Sequence, residues 1–234
     1  LILYYITDRQ QFPGSEAQRQ KCLLEKIAQA ASCGVDMIQL REKDLSTREL
    51  ETLARRTLEV IFEHSKSDRV ETPKTRLLIN SRTDVAIAVG AGGVHLRSPE
   101  NDIAASETRV VLNKAGLHSA LIGVSCHSAS EVRSAEAHGA DFALFGPVFE
   151  KEGVRSREGL RKLRQACISV PGRGPEAGVP SGGLPVLAIG GITLATASKC
   201  VGAGAAGIAG IRLFQDNDIS HVVETLREAG IAKG

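Results

Sequence analysis

The sequence predicts a single (β/α)8 barrel of the α/β class over residues 1–234, and three observations carry that prediction. Eight short apolar runs recur along the chain, each followed by a stretch of helical period. Several of those stretches close on a glycine just before the next run, at Gly34, Gly92, Gly139 and Gly204, where helix C-caps place one. The segments CGVD (33–36), HGAD (138–141) and AGAA (203–206) are near-copies in the same slot of the unit. Eight strand-plus-helix units in this length favour a closed barrel over a doubly wound sheet.

The first run, residues 3–7 (LYYIT), precedes a helical stretch over 17–32, and the second, 37–41 (MIQLR), precedes one over 46–64. The third, 76–80 (RLLIN), leads into Ser81-Arg82-Thr83-Asp84, where Asp84 is expected to cap the following helix. The fourth is 93–96 (GVHL) and the fifth 121–128 (LIGVSCHS), the latter followed by a helix over 128–138. Runs 142–149 (FALFGPVF), 185–191 (PVLAIGG) and 207–214 (GIAGIRLF) complete the set, with a helix over 194–202 between the last two. Two polar stretches, 65–75 and 170–183, fall between a helix and the next strand, and so on the N-terminal face. Their charge, Gly and Pro read as flexible loops without a role.

Composition excludes several classes. A net charge of +2 with no basic run argues against nucleic acid. Aromatics make up 3% of the chain and Trp is absent, so base- or sugar-stacking platforms are not expected. No apolar run approaches a membrane span and no signal-peptide pattern opens the chain, though Leu1 already lies inside an apolar run and residues before it are expected. The five cysteines (Cys22, Cys33, Cys126, Cys167 and Cys200) are scattered, with no CxxC or zinc spacing, so buried free thiols in a reducing cytoplasm are the expectation.

The fifth run holds the sharpest chemical signal. Read with period 2, Ile122, Val124 and Cys126 face one side, and Gly123, Ser125 and His127 the other. An apolar strand ending in one imidazole at its C-terminal tip suits catalysis at the mouth of such a barrel, and His127 is the candidate acid/base. A Cys126–His127 dyad is rejected, because strand neighbours point to opposite faces.

Other polar groups collect at the same ends of the strands. Strand two offers Gln39, Arg41 and Lys43 on one face, an array suited to an anion, with a structural cluster around Glu42 and Asp44 as the plain alternative. Asn80 ends strand three and can orient a heterocycle. Gly190-Gly191 after strand seven, and Gly210 to Arg212 after strand eight, match the backbone phosphate cradle of this architecture. The Gly-Pro exit from strand six, followed by Glu150 and a charged loop, reads as a lid with Glu150 as a second acid/base candidate.

Taken in order, YYITD, IQLREKD, LINSRTDVA, GVHL, IGVSCHS, GADFALFGPVFE, LAIGGI and GAAGIAGI resemble the thiamine phosphate synthase/TenI superfamily over nearly the whole chain. The resemblance implies one of two activities. Synthases join hydroxymethylpyrimidine pyrophosphate to thiazole phosphate using Mg2+; the tautomerase TenI aromatises carboxythiazole phosphate by a proton shift without metal. Where synthases carry a metal-binding Asp after the strand-three Asn, this chain has Ser81; after strand four only Glu100 or Asp102 stands in for the second carboxylate. The Thr-x-Thr-Lys pyrophosphate loop is replaced by Glu150-Lys151-Glu152-Gly153. The residues around FGPVFE and His127 resemble the tautomerase branch, whereas Gln39-x-Arg41-x-Lys43 is the fuller, synthase-like form.

The expectation is therefore a metal-independent thiazole tautomerase with no cofactor. His127 would move the proton, and Gly190, Gly191, Ile211 and Arg212 would hold the phosphate. Arg41 and Lys43 would neutralise the carboxylate, while Gln39, Asn80 and Glu150 would contact substrate. The alternative is a divergent Mg2+-dependent synthase using Glu100 or Asp102; a third reading is a non-catalytic barrel that binds thiamine precursors. The expected partner is a small phosphorylated thiazole, in the cytoplasm, with no nucleic acid or membrane and with homo-oligomerisation left open.

Overall fold

The computed structural model describes residues 1–64, 75–98, 103–149, 156–170 and 183–231. Eight parallel strands close into a barrel in chain order. They are β1 (Ile2–Ile6), β2 (Met37–Leu40), β3 (Arg76–Asn80), β4 (Gly93–Leu96), β5 (Leu121–Cys126), β6 (Phe142–Phe145), β7 (Val186–Ala188) and β8 (Gly207–Gly210). Around them lie α1 (Glu16–Ser32), α2 (Thr47–His64), α3 (Thr83–Val89), α4 (Ala105–Lys114), α5 (Ala129–Ala137), α6 (Ser156–Ile168), α7 (Leu194–Gly202), α8 (Arg212–Gln215) and α9 (Ile219–Ile231). β8 pairs with β1 through Leu3–Ile208 and Tyr4–Ala209, which shuts the ring.

The period-2 alternation sorts the side chains into two cores. Tyr4, Ile6, Met37, Leu78, Phe142 and Leu144 point inward with Leu187 and Ala209 and plug the barrel. Their neighbours in sequence, such as Leu3, Ile38, Leu77, Ile122 and Val124, point outward under the helices in a larger buried cluster. Cys126 belongs to that outer cluster, so it turns away from His127 as the alternation requires. Burial pushes its thiol up to about 12.

Two aspartates in the CGVD and HGAD copies do matching work. Asp36 accepts from the Leu3 N–H (2.7 Å) and is paired with Arg227, while Asp141 accepts from the Ile122 N–H (2.6 Å) and is paired with Arg109. Each ties the strand it precedes to the start of the previous one. The third copy has Ala206 at that place and lacks the carboxylate; its N–H bonds Val186 O, as the Asp141 N–H bonds Ile122 O.

The runs read from sequence overshoot the strands mainly at their C-terminal ends. Arg41, His127, Val148, Phe149, Ile189 and Phe214 lie beyond the ladders, in loops or in α8. Val148, Phe149 and Phe214 are buried there, so hydrophobicity alone could not separate them from strand. Gly34, Gly139 and Gly204 have positive φ, but after α3 that role belongs to Gly90 (φ 67°) rather than Gly92. Gly92 is tight for another reason: a Cβ there would lie 3.2 Å from Arg76 Cβ and 3.3 Å from Leu77 O. Asp84 does not cap α3. The N-cap is Arg82, and Asp84 sits in the first turn in a 2.6 Å ion pair with it. Residues 65–74 and 171–182, most of the two expected loops, lie outside the described residues, as does the charged loop at 150–155.

Candidate active site at the C-terminal mouth

Two adjoining cavities open at the C-terminal ends of the strands. The mouth, about 300 Å³, is lined by Gln39, Arg41, Asn80, His95, Ser125 and His127, among others. The cradle, about 570 Å³, is lined by Gly190, Gly191, Gly210, Ile211 and Arg212, with Asp8 and Gln11 on its rim. Arg41, Ile189, Gly190 and Ile211 line both, so the two are continuous.

His127 is the first residue past β5 and is held from two sides. Its backbone N–H donates to Glu131 Oε2 at 2.9 Å, and its Nδ1 lies 2.6 Å from Gly146 O. A carbonyl oxygen only accepts, so Nδ1 carries the hydrogen and Nε2 is the basic nitrogen. Ser128 starts α5 beside it, accepting from the Glu131 N–H and donating to its carboxylate.

Strand two is corrected in part. β2 ends at Leu40; Gln39 and Arg41 reach the mouth, but Lys43 is exposed and does not line it. Glu42 and Asp44 leave this cluster altogether and bind Arg9 (3.1 and 2.6 Å). Lys43 still contributes charge. Its ammonium is held below its usual value first by the Arg41 cation, then by burial and Arg97. Like charges crowded beside a cavity, with no carboxylate on Arg41 among the described residues, favour an anion there. Gln39 is buried and its Nε2 has no partner among the described residues, a donor left for a ligand. Thr7 fixes the backbone between them, accepting from the Arg41 N–H (3.0 Å) and donating to Glu42 (2.6 Å).

The cradle forms where β7 and β8 end. Gly190 and Gly191 both have positive φ (97° and 61°) and pass close to neighbouring backbone: a Cβ on Gly191 would lie 2.5 Å from Phe149 O. Ile211 and Arg212 open α8, where the first N–H groups of a helix have no carbonyl partner inside it. The Gln215 amide brackets the backbone of Asp8 (2.8 and 3.1 Å) and holds this rim together.

Sequence reading missed His95. It is buried on the inner face of β4, with Tyr4 Oη 3.3 Å from Nδ1 and Ser125 Oγ 2.9 Å from Nε2. The available signal was one polar residue at an inward register position of GVHL. Burial, then the Arg41 charge, push its pKa down to about 3. The linkage has a definite sign. On acidification the unfolded imidazole takes up a proton near pH 6.5 while the folded one does not. Stability is therefore lost as pH falls from about 6.5 toward about 3, by up to about 1.4 kcal/mol per pH unit, and His95 contributes nothing to this slope above that window. Urea midpoints measured between about pH 6.5 and 5, above the carboxylate range, should show the slope in the wild type and lose it in His95→Gln.

The donor set does not make a magnesium site among the described residues, where no group of three His, Cys, Asp or Glu is placed to hold a metal. Ser81 follows Asn80 in the left-handed region (φ 54°) and offers a buried, unpartnered hydroxyl rather than a carboxylate. Glu100, Asp102 and Glu150 lie outside the described residues.

A glycine-lined cradle joined to a mouth that holds the His127 imidazole lies at the C-terminal end of a closed parallel barrel, where (β/α)8 enzymes carry their sites. The family profile described as thiamine monophosphate synthase matches residues 3–214. A putative thiamine-phosphate synthase of Geobacter sulfurreducens is 38% identical, covering 88% of this chain and 83% of that protein. A putative thiamine-phosphate synthase 2 of Aquifex aeolicus is 35% identical, over 91% and 96%. The structure of a thiamine phosphate pyrophosphorylase from Pyrococcus furiosus superposes with a TM-score of 0.74 at 29% identity, covering 99% and 96%. The chain belongs to the thiamine phosphate synthase/TenI family, enzymes of thiamine biosynthesis that bind small phosphorylated substrates. Among the described residues no helix is long and apolar enough to cross a membrane.

Proposed function

We propose that this protein is a metal-independent thiazole tautomerase of thiamine biosynthesis, with His127 as its acid/base. The observation that carries the reading is the mouth itself. It offers one exposed imidazole with Nδ1–H fixed on Gly146 O, and no carboxylate among its described lining residues. The cradle residues Gly190, Gly191, Ile211 and Arg212 hold the phosphate. Arg41, aided by the charge of Lys43, neutralises the ring carboxylate, and Gln39 and Asn80 orient the ring. Nε2 of His127 takes the proton from the ring carbon and returns it to the exocyclic alkene carbon, so the imidazole ends as it began. Gaining aromaticity by moving one proton needs a placed base and a fixed anion. Five free thiols fit a reducing cytoplasm as the site of action. Isomerisation of carboxythiazole phosphate should continue undiminished in EDTA; loss of turnover on chelation sinks the reading.

The names of the relatives favour a second reading, a thiamine phosphate synthase. It needs a metal-binding carboxylate from Glu100 or Asp102, and it predicts pyrophosphate release that EDTA abolishes.

A further inference from the structure

Tyr4, His95 and Ser125 form a chain that proton transfer at His127 does not use. The His95 ring lies 5.8 Å from Tyr4 and 5.9 Å from Phe142, centroid to centroid, over Gly123. A Cβ on Gly123 would come within 2.2 Å of Phe142 Cζ and 2.8 Å of His95 Nδ1, so this ring position demands glycine beneath it. Both His95 nitrogens are engaged, Nδ1 by Tyr4 and Nε2 by Ser125.

The positions of the hydrogens follow from the partners. Tyr4 is fully buried, and its hydroxyl meets only His95 Nδ1 among the described residues. If it merely accepted from an Nδ1–H, its own hydrogen would be buried with no acceptor, at a cost of about 1–3 kcal/mol. Tyr4 therefore donates to Nδ1, and Nε2–H donates to Ser125 Oγ. Ser125 is half-buried, has no other partner among the described residues, and lines the mouth beside Asn80 and His127. With its oxygen accepting from His95, its own hydrogen is left for a group in the cavity. Gln39 lines the same cavity, and its Nε2 is buried with no partner among the described residues.

We propose that Tyr4 is a positioning residue that fixes His95 as the neutral Nε2–H tautomer. The floor of the mouth thereby becomes a pair of donors, Ser125 and Gln39. Such a floor selects ligands that place an acceptor there, an unprotonated ring nitrogen or a carboxylate oxygen, over ligands that place an amino group. The inference rests on the mouth being the ligand site, as proposed above, and not on which reaction occurs in it.

Two measurements test it. In protein labelled with 15N-histidine, two-bond 1H–15N correlations at about pH 6 should show His95 neutral, with hydrogen on Nε2 and none on Nδ1. In Tyr4→Phe, Nδ1 loses its donor and the single tautomer should give way to a mixture. A charged ring or an Nδ1–H tautomer in the wild type overturns the assignment, whether or not the variant folds. In calorimetry with 4-methyl-5-(2-phosphoethyl)thiazole, Ser125→Ala should weaken binding about tenfold, and Ser125→Thr should recover it. Equal affinity of Ser125→Ala and wild type overturns the donor floor. Failure of the wild type to bind this thiazole overturns the proposed ligand and the selectivity with it, while the NMR result decides the tautomer alone.

Discussion

Replacing His127 by asparagine should lower kcat for carboxythiazole phosphate by roughly 10²–10⁴-fold, the usual loss when a placed acid/base is removed. Asparagine suits the test because its side-chain N–H can replace Nδ1–H on Gly146 O, so the loop keeps its 2.6 Å anchor. What disappears is Nε2, the basic nitrogen. The Glu131 contact to the residue 127 N–H is a backbone contact and survives the change. The cradle residues lie after β7 and β8, and His127 is absent from their lining. Affinity for the phosphorylated ligand, read by calorimetry, should stay within a few-fold of wild type. An unchanged kcat would remove His127 from the chemistry.

Arg9→Ala should cost about 3–5 kcal/mol of folding stability, the range for leaving one partner of a buried ion pair alone. Arg9 and Glu42 are both buried, and the Arg9 guanidinium meets Glu42 (3.1 Å), Asp44 (2.6 Å) and Glu16 (2.7 Å). Without the guanidinium, Glu42 keeps, among the described residues, the Thr7 hydroxyl and the residue 9 backbone N–H. Urea denaturation reads the loss as a lower midpoint at unchanged slope. Arg9→Met paired with Glu42→Leu should recover a large part of it, since it removes both buried charges together. A small effect of Arg9→Ala, within about 0.5 kcal/mol as at an ordinary surface site, contradicts the network. Asp44 adds an acid-side contribution of the same sign as that of His95, at lower pH. Arg9 holds its carboxyl down to about 2, so that contribution is present above the ordinary carboxylate range and fades as pH falls toward about 2. Its partial exposure keeps it small.

The barrel was legible in the sequence because strand alternation and helix caps are local signals. Gly34, Gly139 and Gly204 mark helix ends by a backbone conformation few other residues tolerate, and the eight apolar runs each hold a strand. Ends were less legible. Phe149 and Phe214 are as apolar as any strand residue yet pack in loops or α8, a distinction made by tertiary packing rather than composition. Asp84 looked like a cap because its type suits one, but Arg82 bound it first.

The mouth shows the same division. His127, Gln39, Arg41, Asn80 and the cradle were readable, since each lies at or just past the C-terminal end of a strand, where this architecture places its sites. His95 was not, because its role depends on Tyr4 and Ser125, 91 and 30 residues away in the chain. Arg9–Glu42 was missed for a related reason. Glu42 stood beside Arg41 and Lys43 in sequence, and only the parallel pairing of β1 with β2 brings Arg9 to it.

The most direct test of the central claim is a 31P NMR and chromatographic assay of one protein preparation given two substrate sets. The first holds the carboxythiazole phosphate tautomer with EDTA; the second holds hydroxymethylpyrimidine pyrophosphate, thiazole phosphate and Mg2+. The account predicts conversion to the aromatic carboxythiazole in the first and no pyrophosphate in the second. Pyrophosphate and thiamine phosphate in the second, with the first left unchanged, would contradict it and make the protein a synthase.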